Sequence, residues 1–344
     1  MVAICINNPV YIVSSASVVG QEEKNGPLGE HFDIYDEKDD TFGCKTWEKA
    51  ESEMQRLALG KALSLAGKMD TDMEMLFAGD LLNQCIGSNY GLLNYDTAYI
   101  GLYGACSTAA EGLMLAAMLC SGGLVSRCAS VASSHNASAE RQFRSPLEYG
   151  GQRSPTAQWT VTGSAAYILS AVQKDLLFEK NAPKYAARIT AVQPGRSLDA
   201  GINDITNMGA AMAPAASDTI VRFFKETGQR AKDFDLILTG DLGYEGTVIL
   251  QDLMRCENFD ISAVHNDCGL LIYDRARQDK HAGGSGCGCS AVVLSSYILK
   301  KLKQGKYKRI LFVGTGALMS PMSLQQGLSI PGIAHLVQIE REEL

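Results

Sequence analysis

Gly104-Ala105-Cys106-Ser107-Thr108 opens a run of small apolar residues over 109–120. Gly284-Ser285-Gly286-Cys287-Gly288-Cys289-Ser290-Ala291 opens another over 292–302. The segments after these two runs are also alike. Gly122-Gly123 and a hydrophobic stretch over 125–133 come after the first. Gly305-Lys306-Tyr307-Lys308-Arg309 and then Ile310-Leu311-Phe312-Val313-Gly314 come after the second. Cys106 and Cys287 stand 181 positions apart, and Arg127 and Arg309 stand 182 apart, so the two units are nearly in register. Each reads as a helix begun at a glycine-flanked cysteine, then a turn, then a strand. Two copies predict an internally duplicated α/β fold with a site where the halves meet.

A second pair agrees. Leu76-Phe77-Ala78-Gly79-Asp80-Leu81 returns as Leu236-Ile237-Leu238-Thr239-Gly240-Asp241-Leu242. An amphipathic pattern precedes each, over 51–67 and 215–228. Here the offset is 161, so the later half must hold extra residues between its Gly-Asp turn and its cysteine loop. The halves are expected at 1–175 and 176–344, interlocked in one globular unit.

The chain has 344 residues, 46% hydrophobic and 20% charged, with a formal charge of −7. That size supports a large core, and an acidic balance argues against a nucleic-acid partner. The cluster Lys300, Lys301, Lys303, Lys306, Lys308 and Arg309 reads as the solvated end of a helix and the turn after it. No run is long and apolar enough to span a bilayer. The start of the chain lacks a basic segment and is broken by Asn7, Asn8 and Pro9, so a strand at Val10-Tyr11-Ile12-Val13 is expected and a signal peptide is not. Ten cysteines are then expected as reduced thiols in an intracellular protein. Cys287-Gly288-Cys289 has the wrong spacing for a zinc half-site, so no metal is expected.

Cys106 is the leading candidate for a special residue. A thiol at a helix start faces free N–H groups and the positive end of the dipole, which predicts a lowered pKa. The glycines around Ser285 and Cys287 let a backbone approach a ligand. Asp80 and Asp241 each follow a strand and a glycine, where α/β sheets bind ligands or where an aspartate caps a helix. His135 follows the strand over 129–133 and His265 precedes Leu270-Leu271-Ile272-Tyr273, each as a base or ligand donor or as part of the structure. Arg141, Arg144 and Arg153 come next in a loop and offer forks for carboxylates.

These residues resemble a known superfamily. Gly104-Ala105-Cys106-Ser107 before a small-residue helix is similar to the nucleophile elbow of thiolases and ketoacyl synthases. Asn207-Met208-Gly209-Ala210-Ala211-Met212-Ala213-Pro214-Ala215 and the segments 283–291 and 306–316 resemble other parts of that fold. The resemblance implies a thiolase-like five-layered αβαβα fold. A narrower likeness lies in Glu23-Lys24-Asn25-Gly26-Pro27-Leu28-Gly29, Ala78-Gly79-Asp80-Leu81-Leu82-Asn83-Gln84, Ser133-Ser134-His135-Asn136-Ala137 and His265-Asn266-Asp267-Cys268-Gly269-Leu270-Leu271-Ile272-Tyr273. These resemble the stage V sporulation protein AD family. That implies a spore protein that binds dipicolinic acid, with or without calcium, and supports its uptake beside membrane proteins of the same operon. It also implies a homodimer peripheral to the inner spore membrane.

Thiolase-type condensation needs two groups beside the cysteine, usually His/His or His/Asn. Where the resemblance places them, this chain has Gly240-Asp241 and Gly284-Ser285-Gly286. The expectation is therefore a binding pocket built from an enzyme scaffold, with Asp80, Cys106, His135, Arg144, Asp241, Ser285 and Cys287 around it. The rival expectation is an acyltransferase in which Cys106 forms a thioester and His135 or His265 is the base. A third is a structural adaptor for the membrane complex.

Overall fold

The computed structural model describes residues 3–143, 153–177 and 184–344. Ten main strands form one continuous sheet: β1 (Ile4–Val19), β2 (Met75–Gly79), β3 (Tyr99–Gly101), β4 (Arg127–Ser134), β5 (Gly163–Ser170), β6 (Tyr185–Gln193), β7 (Leu236–Thr239), β8 (His265–Asp267), β9 (Arg309–Ala317) and β10 (Gly332–Glu343). Their order is β3-β2-β4-β5-β1-β6-β10-β9-β7-β8. From either end, the pairings run parallel, parallel, antiparallel, antiparallel. The halves join where β1 pairs antiparallel with β6. The duplication seen in sequence is thus a symmetry of strand order. The matched segments Leu76–Leu81 and Leu236–Leu242 supply β2 and β7, which hold equivalent places.

Five helices matter here: α1 (Trp47–Ala66), α2 (Thr108–Ser121), α3 (Met208–Thr227), α4 (Gly243–Cys256) and α5 (Cys287–Val293), the last extended to Lys303 through a π turn. α1 starts where Thr46 accepts a hydrogen bond from the Lys49 N–H, and it stops at Gly67 in the left-handed region. α3 is capped in the same manner by Asn207 and Gly228. α1 covers the outer face of the first half-sheet and α3 that of the second. α2 and α5 lie between, touching strands of both. This gives the αβαβα layering. The middle helices are buried all round because both faces meet sheet. Ala109, Ala110, Leu113, Ala116, Ala117, Val292 and Val293 have no solvent exposure and share one core with Ile12, Phe312 and Ile339.

The structure begins α3 at Met208 and lengthens the first strand to Ile4–Val19, both well beyond the sequence reading. Pro214 lies inside α3 and the helix continues through it. The extra residues required of the later half lie mostly between β8 and α5, in the segment 268–286 that includes a short helix at Cys268–Ile272, where the first half has only 102–105.

Candidate functional site

The cysteine turn is built by close backbone contacts. Ala105 has φ +49°, a left-handed conformation that strains a residue with a side chain. The strain puts Cys106 on a short 3₁₀ turn (Ala105–Ser107) ahead of α2. The Ser107 hydroxyl donates to the Gly104 carbonyl at 2.6 Å, and that of Thr108 donates to the Ala105 carbonyl at 2.7 Å. β9 passes directly behind. A Cβ on Gly314 would lie 2.6 Å from the Ala110 Cβ, and one on Gly316 would lie 2.6 Å from the Gly104 carbonyl oxygen. Glycine at both positions lets the turn seat on the strand.

A cavity of about 440 Å³ opens in front of Cys106. Asp80, Asn83, Gln84, Tyr103, Glu140, Gln142, Thr160, Met208, Ser285 and Met319 are among the residues that line it. It sits beyond the carboxyl ends of β2, β3 and β9, where such sheets place ligand sites. Its described lining is mixed: carboxylates, amides and hydroxyls beside Leu82, Phe143 and two methionines. Among the described residues, no arginine, lysine or histidine lines it.

Asp241 and Ser285, which stand where the resemblance would place the two partner groups, converge on Cys106. Asp241 is wholly buried. Its carboxylate accepts from the Thr315 hydroxyl at 2.8 Å, the Gly286 N–H at 2.8 Å and the Ser285 hydroxyl at 3.1 Å, and the Cys106 thiol faces it as a further donor. This overturns the lowered thiol pKa expected from the helix start. Burial and the adjoining Asp241 carboxylate push the Cys106 thiol well above its ordinary value. The 3₁₀ turn before α2 gives some help to a thiolate, but a buried anion beside a second anion costs more. The Gly286 N–H, otherwise a donor for a developing oxyanion, is taken up by Asp241.

The other expected residues divide. Asp80 lines the cavity and also caps, accepting from the Leu82 N–H at 2.8 Å and from the Ser88 N–H and hydroxyl at 2.7 Å each. Its carboxylate thus forms part of the cavity wall and ties the turn over 80–88 together. Cys287 lies behind the wall, its thiol donating to the Ser133 carbonyl at 2.8 Å. His135 is set apart from the cavity. Its Nδ1 accepts from the Ala137 N–H and its Nε2 lies 3.0 Å from the Asp40 carbonyl oxygen, while burial lowers its pKa. His265 bonds the Thr239 hydroxyl at 3.0 Å and is lowered to about 4 by burial, so it is a neutral structural imidazole. Arg141 pairs with Glu48, and Arg153 stacks on Trp159. Arg144 lies outside the described residues.

Sequence reasoning missed Glu51. It is fully buried on α1, bonded by the hydroxyls of Ser133 and Ser138 at 2.9 Å each, and it stands near Asp80. Burial first, then the Asp80 charge, raises it to about 8. A glutamate at a core position of an amphipathic helix was the available signal.

Residues 2–340 match the family described as stage V sporulation protein AD. The chain belongs to that family. It is 44% identical over 337 residues to the stage V sporulation protein AD of Bacillus subtilis (strain 168), covering 97% of this chain and 95% of that one. Solved structures of similar fold include Xanthomonas campestris OleA with cerulenin, at 16% identity and a TM-score of 0.58 over 97% of each chain. An OleA variant with bound lauric acid and lauroyl-CoA gives 15% identity and a TM-score of 0.58, covering 96% of this chain and 98% of that one. AbyA1, a tetronic acid condensing enzyme, gives 16% and 0.57, covering 96% and 99%. These confirm the thiolase-like fold expected from sequence.

Proposed function

We propose that this family member is a binding protein for dipicolinic acid (pyridine-2,6-dicarboxylate) that supports its uptake into the developing spore. The thiolase-type pocket serves as a receptor and not as a catalyst. The observation that carries the non-catalytic half is the Cys106–Asp241 pair. A nucleophilic cysteine needs a thiolate and a base. Here the neighbour is a carboxylate that holds the thiol protonated, and no imidazole lines the cavity among the described residues.

The ligand itself comes from the family likeness, and the cavity's charge refines it. Asp80 and Glu140 line the cavity. A bare dianion meets repulsion there. A calcium chelate presents a cation whose open coordination positions suit carboxylate and amide oxygens, and the aromatic ring suits Phe143 and the methionines. Calcium in this reading is cargo carried with the ligand.

Three partners belong to the same reading: membrane proteins of the same operon, the inner spore membrane beside them, and a second copy of the chain. The copy would pair on the open edge at β3, where Ile100 is 43% exposed and Tyr90, Leu93 and Tyr103 are more so.

Calorimetric titration with dipicolinate, with and without calcium, tests the proposal. Saturable binding, tighter with calcium and weakened in Cys106→Ala, supports it. No binding in either condition, with Cys106 acylated by an acyl-CoA instead, overturns it in favour of an acyltransferase.

A further inference from the structure

Glu23 is wholly buried on the short turn of helix Gln21–Lys24 that follows β1, and it takes no part in lining the cavity. One carboxylate oxygen, Oε1, accepts from the Thr162 N–H at 3.0 Å and from the Tyr273 hydroxyl. The other, Oε2, is buried with no hydrogen-bond partner among the described residues. It faces a second carboxylate. A Cβ on Gly20 would lie 2.7 Å from Asp40 Oδ1 and 3.0 Å from Glu23 Oε2, so the two oxygens border the same small space. Among the described residues no lysine or arginine forms an ion pair with either. Lys280 pairs with Glu22 at 2.8 Å and stands over the Trp159 ring, and Lys24 pairs with Glu30.

Asp40 belongs to a strap over 36–44 that lies over His135. Asp40 and Phe42 have φ +61° and +50°, left-handed values that residues with side chains avoid. A few bonds hold this strained backbone in place. Asp40 Oδ1 accepts from the Gln21 N–H at 2.7 Å, and Asp36 Oδ2 accepts from the Phe42 N–H at 2.6 Å. The Asp40 carbonyl accepts from His135 Nε2 at 3.0 Å, while His135 Nδ1 accepts from the Ala137 N–H. His135 leads directly into the helix Asn136–Phe143, which supplies Ala139, Glu140, Gln142 and Phe143 to the cavity wall. Just past the strap, Glu48 pairs with Arg141 of the same helix. The strap and this wall are therefore tied to each other at two points.

We propose that Glu23 and Asp40 hold one proton between them, and that its loss to water frees the strap and loosens the cavity wall at Asn136–Phe143. With the proton on Glu23 Oε2, the orphaned oxygen becomes a donor before an acceptor, and one negative charge occupies the space. With the proton gone, two carboxylates face each other out of water, and the strained strap is the part that moves away. Burial raises Glu23 to about 7 and raises Asp40 as well. The other titratable groups facing the pair do not relieve it. Glu22 and Asp36 add negative charge, burial keeps the Tyr273 hydroxyl protonated, and burial keeps His135 neutral. In the open strap Glu23 returns toward its ordinary 4.5, so opening grows as pH rises from about 4.5 to about 7 and levels off above that. The wall is firm in acid and looser at neutral pH and above, whichever ligand the cavity takes.

Labelling of the full chain with diethyl pyrocarbonate, read by peptide mass spectrometry, tests it with no ligand present. The reagent takes a neutral imidazole, and both ring nitrogens of His135 are engaged while the strap is closed. From pH 5.5 to pH 8, labelling of His135 in the parent is expected to rise about 25-fold more than in Glu23→Gln, the ratio set by Glu23 at about 7 closed and 4.5 open. Glu23→Gln keeps a donor before Asp40 at every pH and is expected to stay protected. Asp40→Asn leaves a single charge in the space and is expected to flatten the response as well, which keeps the test decisive if Glu23→Gln does not fold. His265 and His335, buried in the second half, are expected to stay unlabelled throughout. At pH 8, amide exchange over 136–143 is expected to be faster in the parent than in Glu23→Gln. A flat His135 response in the parent overturns the proposal, as does one equally steep in both variants or one shared by His265 and His335. Equal amide exchange over 136–143 in the parent and Glu23→Gln overturns it too.

Discussion

Asp241→Asn isolates the feature on which the functional reading turns. The variant keeps the shape and one acceptor oxygen, which can still take the Gly286 N–H and the Ser285 hydroxyl while the new amide N–H turns to the Thr315 hydroxyl oxygen, and it removes the negative charge facing Cys106. Two unit charges about 4 Å apart at an effective dielectric near 20 repel by about 4 kcal/mol, so removing one of them makes a thiolate at Cys106 easier to form. Burial remains, so the thiol stays above its ordinary value, but the charge that adds to that rise is gone. Iodoacetamide fits a cavity of about 440 Å³, and Cys106 lines it. Alkylation followed by peptide mass spectrometry is expected to label Cys106 at least tenfold faster in the variant, by this arithmetic. Cys287, fully buried behind the wall, is expected to stay unlabelled in both and serves as the internal control. A folded Asp241→Asn protein whose Cys106 reacts no faster than the parent's would refute the claim that the carboxylate silences the thiol.

Three further outcomes are expected from the geometry. Gly314→Ala places a methyl 2.6 Å from the Ala110 Cβ and 3.0 Å from the Ser107 carbonyl oxygen, so a loss of about 1–3 kcal/mol in denaturant unfolding is expected. An unchanged midpoint would show that the turn is not seated on β9 as described. Glu51, Glu23 and Asp267 are buried and raised to about 8, 7 and 7. Their folded pKa values lie above the unfolded ones, so the stability they give is full below about pH 4 and is lost as pH rises toward 8. The melting temperature is therefore expected to be higher at pH 5.5 than at pH 8, with Glu51→Gln narrowing the gap. A melting temperature that climbs from pH 5.5 to 8 would contradict this. Finally, Ile100→Asp on the open β3 edge is expected to convert a dimer to a monomer in sedimentation equilibrium, whereas a wild-type monomer would remove the edge pairing from the proposal.

Much of the fold was legible because the duplication is written in local chemistry. The strands at Leu76 and Leu236 and the helix starts at Cys106 and Cys287 carry hydrophobic period and glycine punctuation that survive in each copy. The convergence of Asp241 and Ser285 on Cys106 was legible only through the family likeness, since nothing local joins positions 135 residues or more from the cysteine. The thiol pKa was misread because the helix dipole is a local property while burial and the Asp241 charge are tertiary ones. His135 was misplaced for a similar reason. It ends β4 as expected, but the loop carrying Asp40 folds over and takes its ring. Glu51 stayed hidden because its hydroxyl partners, Ser133 and Ser138, are more than 80 residues away.

The site's electrostatics can be set against what acyl transfer requires. Catalysis of acyl transfer concentrates donors and cationic groups where an oxyanion and a thiolate form. Around Cys106 this chain places carboxylates instead: Asp241 against the thiol and Asp80 on the cavity wall. The nearby donors, Thr315, Ser285 and the Gly286 N–H, are satisfied internally by Asp241. A transition state that develops negative charge would meet no free donor at these positions and a fixed negative neighbour. A ligand that brings its own cation would meet the opposite, a wall of oxygens already held in place by capping N–H groups and hydroxyls. The strained Ala105 turn and the glycines of β9 keep their form because they shape the cavity. The charge around the cysteine therefore works against a thiolate, and with it against the thioester chemistry of the rival reading.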